Sequence, residues 1–166
     1  MLESLYVVWM AVMAQVAPHE PRGRLEELAQ VVAEATPNPV EQAVLLNVDF
    51  HETTWGRRGI RFGLSGIRDR LPLRAAVVVA LRSLRRARDL CSRGDWTRVD
   101  RILGHYHHGS GCAPDAYSRG EAAFNDRLQR LYWLRFVELS PWFSLSSWED
   151  QVSAWIWPLR GTSLGS

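Results

Sequence analysis

Apolar residues recur along the chain mostly at helical spacing. The first seventeen positions are largely apolar, with Leu5, Val7, Val8, Trp9, Met10, Val12, Met13 and Val16. Glu3 stands where a signal peptide carries basic residues, and Gln15 and Pro18 end the run. The run is too short to cross a bilayer, so a buried first helix is expected. Residues 17–23 hold two Pro and a Gly and read as a loop. Leu25, Leu28, Ala29 and Val32 share one face of a helix over 25–35. Asn38 can cap the next helix, Pro39 suits its first turn, and Glu41 lies three residues after the cap. From Val40 to Val48 apolar residues occupy most faces, which predicts a central helix over 39–52.

The pattern then breaks. Gly56, Gly59, Gly63 and Gly66 predict loops or a small hairpin over 53–71. Pro72 opens a helix to about Leu90, with Val77, Leu81, Leu84 and Arg88 on one stripe. Asp95 is a candidate cap for a helix over 96–106, followed by a Gly- and His-containing loop over 107–115. Ser118 and Glu121 have capping-box spacing for a helix reaching Leu139, which Pro141 stops. An aromatic segment follows, with Trp142, Phe143, Trp148, Trp155 and Trp157. No repeat period is visible. The expectation is a mainly α fold of about six helices around a central buried helix. It forms one domain over 1–160, with a frayed tail over 161–166.

Composition adds little to that picture until it is read by region. The 166 residues are 46% hydrophobic and 23% charged, which excludes a wholly disordered chain. All 20 basic residues are Arg, and the formal net charge is only +2. Thirteen of those Arg, against four acids, fall between Arg57 and Arg101. Such a stretch can face an anionic polymer or form a solvated surface complemented by acids elsewhere. Arg82, Arg85, Arg86 and Arg88 are the basis for a helical nucleic-acid binder as an alternative, but no base-reading motif accompanies them, and no nucleic-acid partner is expected. Cys91 and Cys112 permit one disulfide or two free thiols.

Three segments are candidates for chemistry. His51-Glu52-Thr53-Thr54-Trp55 begins like a zinc-protease motif but has Trp where the second His ligand is required. His105, His107, His108 and Cys112 could be metal ligands, without a Cys-x-x-Cys pair to support them. Neither a metal nor a cofactor is expected. Glu52 lies where the central helix meets the Gly-aromatic segment. Apolar neighbours and Asp49 three residues back would favour its protonated form, as a general acid requires.

The run from Ala43 to Gly56, with Glu52 and Thr53 at its end, resembles the catalytic segment of lytic transglycosylases and goose-type lysozymes. Phe62-Gly63-Leu64 is similar to the Gly-Leu stretch that lines their glycan groove, and Tyr106-His107-His108-Gly109 to an aromatic-Asn pair before a Gly-rich turn. Tyr117 resembles a Tyr that opens their next helix. The ordered likeness runs from about Pro39 to Leu131. Ser65-Gly66 replaces the family's Met-Gln, and His107 replaces its Asn.

The resemblance implies an α+β lysozyme-like fold and a peptidoglycan-cleaving muramidase. The preferred form is a lytic transglycosylase acting at the MurNAc-GlcNAc bond with Glu52 as its single catalytic acid. Thr53, Trp55, Phe62, Gly63, Leu64, Tyr106, His107 and Tyr117 would support Glu52 or bind the glycan. A hydrolytic lysozyme, such as an endolysin, would need a second acid, for which Asp69 and Asp49 are candidates. A non-catalytic glycan-binding relative is a further alternative. The expected partner is a glycan strand, and the expected place of action is the cell wall, periplasmic or phage-associated, without an evident signal peptide.

Overall fold

The computed structural model describes residues 2–53, 55 and 71–140. Six helices account for most of them: α1 (Leu2–Val16), α2 (Arg22–Ala35), α3 (Pro39–Thr53), α4 (Leu73–Cys91), α5 (Val99–His108) and α6 (Ala116–Leu139). No strand occurs among the described residues. The expected hairpin segment and the tail over 161–166 lie outside them. None of the described helices is long and apolar enough to cross a membrane.

Helix α3 is the centre. Every residue from Glu41 to Asp49 is buried, and α2, α4 and α6 pack against the helix. This is the burial that an apolar sequence on most faces demands. Around it, Val8, Trp9, Val12 and Met13 of α1 join Leu25, Leu28 and Val32 of α2. Val77, Leu81 and Leu84 of α4, Ile102 and Leu103 of α5, and Leu128 and Tyr132 of α6 complete the cluster. Burying each large aliphatic side chain contributes about 1.5–3 kcal/mol. Trp9 meets Tyr132 with ring centroids 4.7 Å apart. Its indole N–H donates to Gln42 Oε1 at 2.6 Å, and the Gln42 amide donates onward to the Thr36 carbonyl. The polar edge of this buried indole is thus satisfied inside the fold.

Local chemistry sets where the helices begin. Asn38 Oδ1 accepts the Val40 amide at 2.9 Å, as a cap should. Glu41 does not close a direct box with Asn38. The Thr36 hydroxyl stands between them, accepting the Asn38 amide and donating to Glu41. Helix α5 starts later than the pattern predicts, because Asp95 accepts both the amide and the hydroxyl of Thr97 in a tight turn. It also ends later: His107 and His108 are helical, and Gly109 closes the helix at φ +68°, a left-handed position suited to glycine. The α6 capping box differs from the expected pair. Asp115 is the cap and Ser118 its reciprocal partner, which releases Glu121 for another contact.

Cys91 and Cys112 form a disulfide with their Cα atoms 5.3 Å apart. It ties the last residue of α4 to the loop between α5 and α6. The same loop presses on α5 at Gly104, where a Cβ would stand 3.0 Å from the Ala113 carbonyl oxygen.

Candidate functional site: a carboxylate-histidine cluster at the end of the central helix

The end of α3 meets α5 and the first turns of α6. Glu52 is partly buried on this rim, neither enclosed nor fully bathed. Its negative charge favours the protonated form of His107 on α5. The Nε2 of His107 donates to Glu121 Oε2 at 2.7 Å, and Glu121 is wholly buried on α6. Burial pulls the His107 value down, but the Glu121 hydrogen bond and the charges of Glu121, Glu52 and Asp115 outweigh it and hold it above the ordinary histidine range.

His51, the neighbour of Glu52, has the opposite setting. Burial lowers its value and the nearby His107 charge lowers it further, with Glu121 opposing both. Two imidazoles around one buried carboxylate therefore favour different protonation states. His51 Nε2 and Glu121 Oε1 are buried with no hydrogen-bond partner among the described residues. The amide groups of Asn47, one turn before His51, and Asn125, one turn after Glu121, share that condition. Aromatic rings enclose the cluster. Tyr117, 49% exposed, lies edge-on to both His51 and His107, at 5.9 and 5.3 Å. Phe124 stacks on Phe50 and meets His51 edge-on at 5.2 Å. Tyr106 contacts His107 at 5.3 Å between centroids.

The expected site residues divide into three groups. Glu52, Tyr106, His107 and Tyr117 come together on the rim. Phe62, Gly63, Leu64 and Asp69 lie outside the described residues, as do Ser65 and Gly66. Thr53, Trp55 and Asp49 turn inward, which corrects the roles expected of them. Trp55 is fully buried, donates its indole N–H to the Leu46 carbonyl at 2.8 Å, and packs edge-on against Phe50. It is a core residue and not a groove wall. Its φ of +51° is strained for a side chain of this size, and the indole packing and hydrogen bond fix it there. Thr53 is also fully buried. Its hydroxyl donates to the Asp49 carbonyl and carboxylate, so it serves the helix end and not a substrate. Asp49, only 3% exposed and held by Thr53, cannot reach a substrate as a second acid.

The histidines considered as metal ligands have separate engagements. His107 faces Glu121, His108 donates to Asp115 at 2.8 Å, and His105 donates to the Gly111 carbonyl. Among the described residues, Cys91, His105 and Cys112 form the one group with metal-ligand proximity, and both sulfurs are already joined in the disulfide. The Arg-rich face is partly neutralised. Arg85 binds Glu41 through two hydrogen bonds of 2.9 and 2.7 Å. Arg88 lies near Glu41 and Asp89, with its guanidinium 5.4 Å from the Trp96 ring centre. An apolar concavity of about 420 Å³, lined by Val7, Met10, Leu25 and Leu139 among others, shares no residue with the histidine cluster.

Sequence reasoning missed His51, Glu121 and Phe124 as members of this cluster. Glu121 had a local signal, its spacing from Ser118, but that signal pointed to a cap. Comparisons with protein-family models, curated proteins and solved structures give no match.

Proposed function

We propose that the protein is a peptidoglycan-cleaving muramidase of lysozyme-like type, with Glu52 as its general acid. One observation carries this reading. Glu52, Tyr106-His107 and Tyr117 lie far apart in sequence, and the resemblance to lytic transglycosylases singles them out. They share one partly exposed rim at the end of a buried helix. In this reading the Glu52 carboxyl protonates the oxygen between N-acetylmuramic acid and N-acetylglucosamine. The resulting carboxylate then accepts the proton of the sugar 6-hydroxyl, whose oxygen closes on C1 to give a 1,6-anhydro end. The aromatic rings of Tyr106 and Tyr117 flank the sugar.

The single-acid, lytic form is the preferred reading: Asp49 is buried under Thr53, and the other candidate second acid, Asp69, lies outside the described residues. A hydrolytic lysozyme needs such a group to activate water. The Cys91–Cys112 disulfide suits an oxidising compartment, where a cell-wall enzyme works. The direct test is clearing of a purified peptidoglycan suspension by the protein and by Glu52→Gln. Clearing by the wild type alone supports the reading. Binding to the wall without clearing by either protein would replace it with a glycan-binding module.

A further inference from the structure

Of the three histidines on α5, His107 is engaged by Glu121 and His108 by Asp115. His105 stands apart from both. One of its ring nitrogens and the sulfurs of Cys91 and Cys112 lie within 4.8 Å of one another. Cys91 is buried at the end of α4, while His105 on α5 and Cys112 in the following loop are half-buried. We propose that, once a dithiol has reduced the Cys91–Cys112 bond, the two thiolates and His105 bind one zinc ion. That ion then ties α4, α5 and the loop in place of the disulfide.

The donor set fits the ion. Zinc selects thiolate and imidazole ligands, and two thiolates neutralise its charge. Tetrahedral zinc with Zn–S bonds of about 2.3 Å sets two sulfurs about 3.7 Å apart. Two reduced sulfurs rest in van der Waals contact at nearly that spacing, so opening the bond moves them toward the geometry of the site. Gly109 and Gly111, both at φ +68°, lie in the stretch before Cys112 and let the loop adjust without a Cβ in the way.

His105 is already oriented. Its Nδ1 donates to the Gly111 carbonyl at 2.8 Å, which fixes the ring and leaves a lone pair on Nε2. The same carbonyl lies 4.0 Å from the Cys91 sulfur, so imidazole and thiol share one anchor. His105 also lines an open concavity of about 410 Å³ between α4 and α5, which gives an ion a way in. Three protein ligands leave the fourth position of the tetrahedron to water.

The chemistry balances. The dithiol gives two electrons and two protons to the cystine and closes to its own disulfide. As the two Zn–S bonds form, the two thiol protons pass to solvent. The site is independent of the glycan-cleaving reading, and its test involves no glycan.

Co²⁺ is the probe, because its colour reports the ligands and geometry of a zinc site. The protein is reduced with a phosphine under inert gas, titrated with Co²⁺ and then with Zn²⁺. The reduced protein should bind one Co²⁺, with thiolate-to-cobalt absorption in the near ultraviolet and the strong visible bands of tetrahedral coordination. Zn²⁺ should bleach both, and the oxidised protein should show neither. His105→Ala should weaken binding about a hundredfold, the upper end of what losing even an outer-shell partner costs, and His108→Ala should leave it unchanged. Zn²⁺ should also raise the melting temperature of the reduced protein, and not that of reduced His105→Ala. No sulfur–cobalt absorption in the reduced protein overturns the site, and equal binding by the oxidised protein does so by putting the ion on other side chains. Unaltered affinity in His105→Ala removes the imidazole from the site and overturns it as stated. A bound ion that leaves the melting temperature unchanged overturns its role as a tie.

Discussion

Glu41 illustrates how one buried charge organises its surroundings. Burial pushes its carboxyl upward, yet the hydrogen bonds from Arg85 and Thr36 and the charges of Arg85 and Arg88 hold it below the ordinary glutamate value. A lowered folded value means that the stabilisation is fully present above the unfolded value and is lost as pH falls through the folded one. Glu41→Ala should therefore lower the stability by about 2 kcal/mol at neutral pH, the size of a charge-assisted hydrogen bond. Urea midpoints should differ less between variant and wild type as the pH is lowered. A difference independent of pH would show that packing, and not charge, holds this corner. Its place three residues after Asn38 was legible, but its partners were not. Arg85 lies 44 positions away and reaches it only because α4 packs against α3.

At the level of elements, α5 and the loop after it behave as one unit. The Cys91–Cys112 bond closes a loop of 21 residues around α5. Replacing both cysteines by Ala should destabilise the fold by about 3 kcal/mol, as loop-closure entropy predicts for that length. The same tether makes Gly104 intolerant. An added methyl meets the backbone of residue 113, which the neighbouring Cys112 prevents from retreating. Gly104→Ala should thus lose about 1 kcal/mol despite the better helix propensity of Ala, and the loss should shrink in the double-cysteine variant. Thermal unfolding of the four proteins checks the coupling. Equal losses with and without the disulfide would separate the two features.

The elements themselves were largely legible. Apolar periodicity and caps place all six helices, and α3 is central because its sequence leaves few faces for water. The boundaries that shifted did so for local reasons. Asp95 bonds Thr97 in a turn ahead of α5, and Asp115 takes the cap expected of Ser118. The candidate site was legible in part: Glu52, Tyr106, His107 and Tyr117 were expected from the resemblance, and Glu121 was not. His107 and Glu121, fourteen positions apart, meet through the packing of α5 on α6. No local spacing encodes such a meeting. Trp55 misled for a related reason: an aromatic beside a candidate acid suits a groove and a core equally, and its hydrogen bond to Leu46 decides for the core.

Over the whole molecule, the titrating groups give one direction at low pH. Glu41, Asp95 and Asp115 all lie below their ordinary values, and His51 resists gaining a proton. Each therefore makes folding less favourable as acid is added. His107, held above its ordinary value, works the other way: its contribution is full below the unfolded histidine value and is lost as pH rises through the folded one. Stability should fall steeply below about pH 4, where the carboxylates take up protons. Circular dichroism melts across that range test this, and an unchanged melting temperature there would contradict it.

In the proposed function, residues from α3, α5 and α6 assemble one glycan-cleaving rim. Mass analysis of the fragments released from purified peptidoglycan tests it most directly. The account predicts soluble fragments ending in 1,6-anhydro-N-acetylmuramic acid from the wild type and none from Glu52→Gln. Reducing ends would instead require a water-activating group beyond those described, and the absence of any released fragment, or their equal release by Glu52→Gln, would contradict the central role given to Glu52.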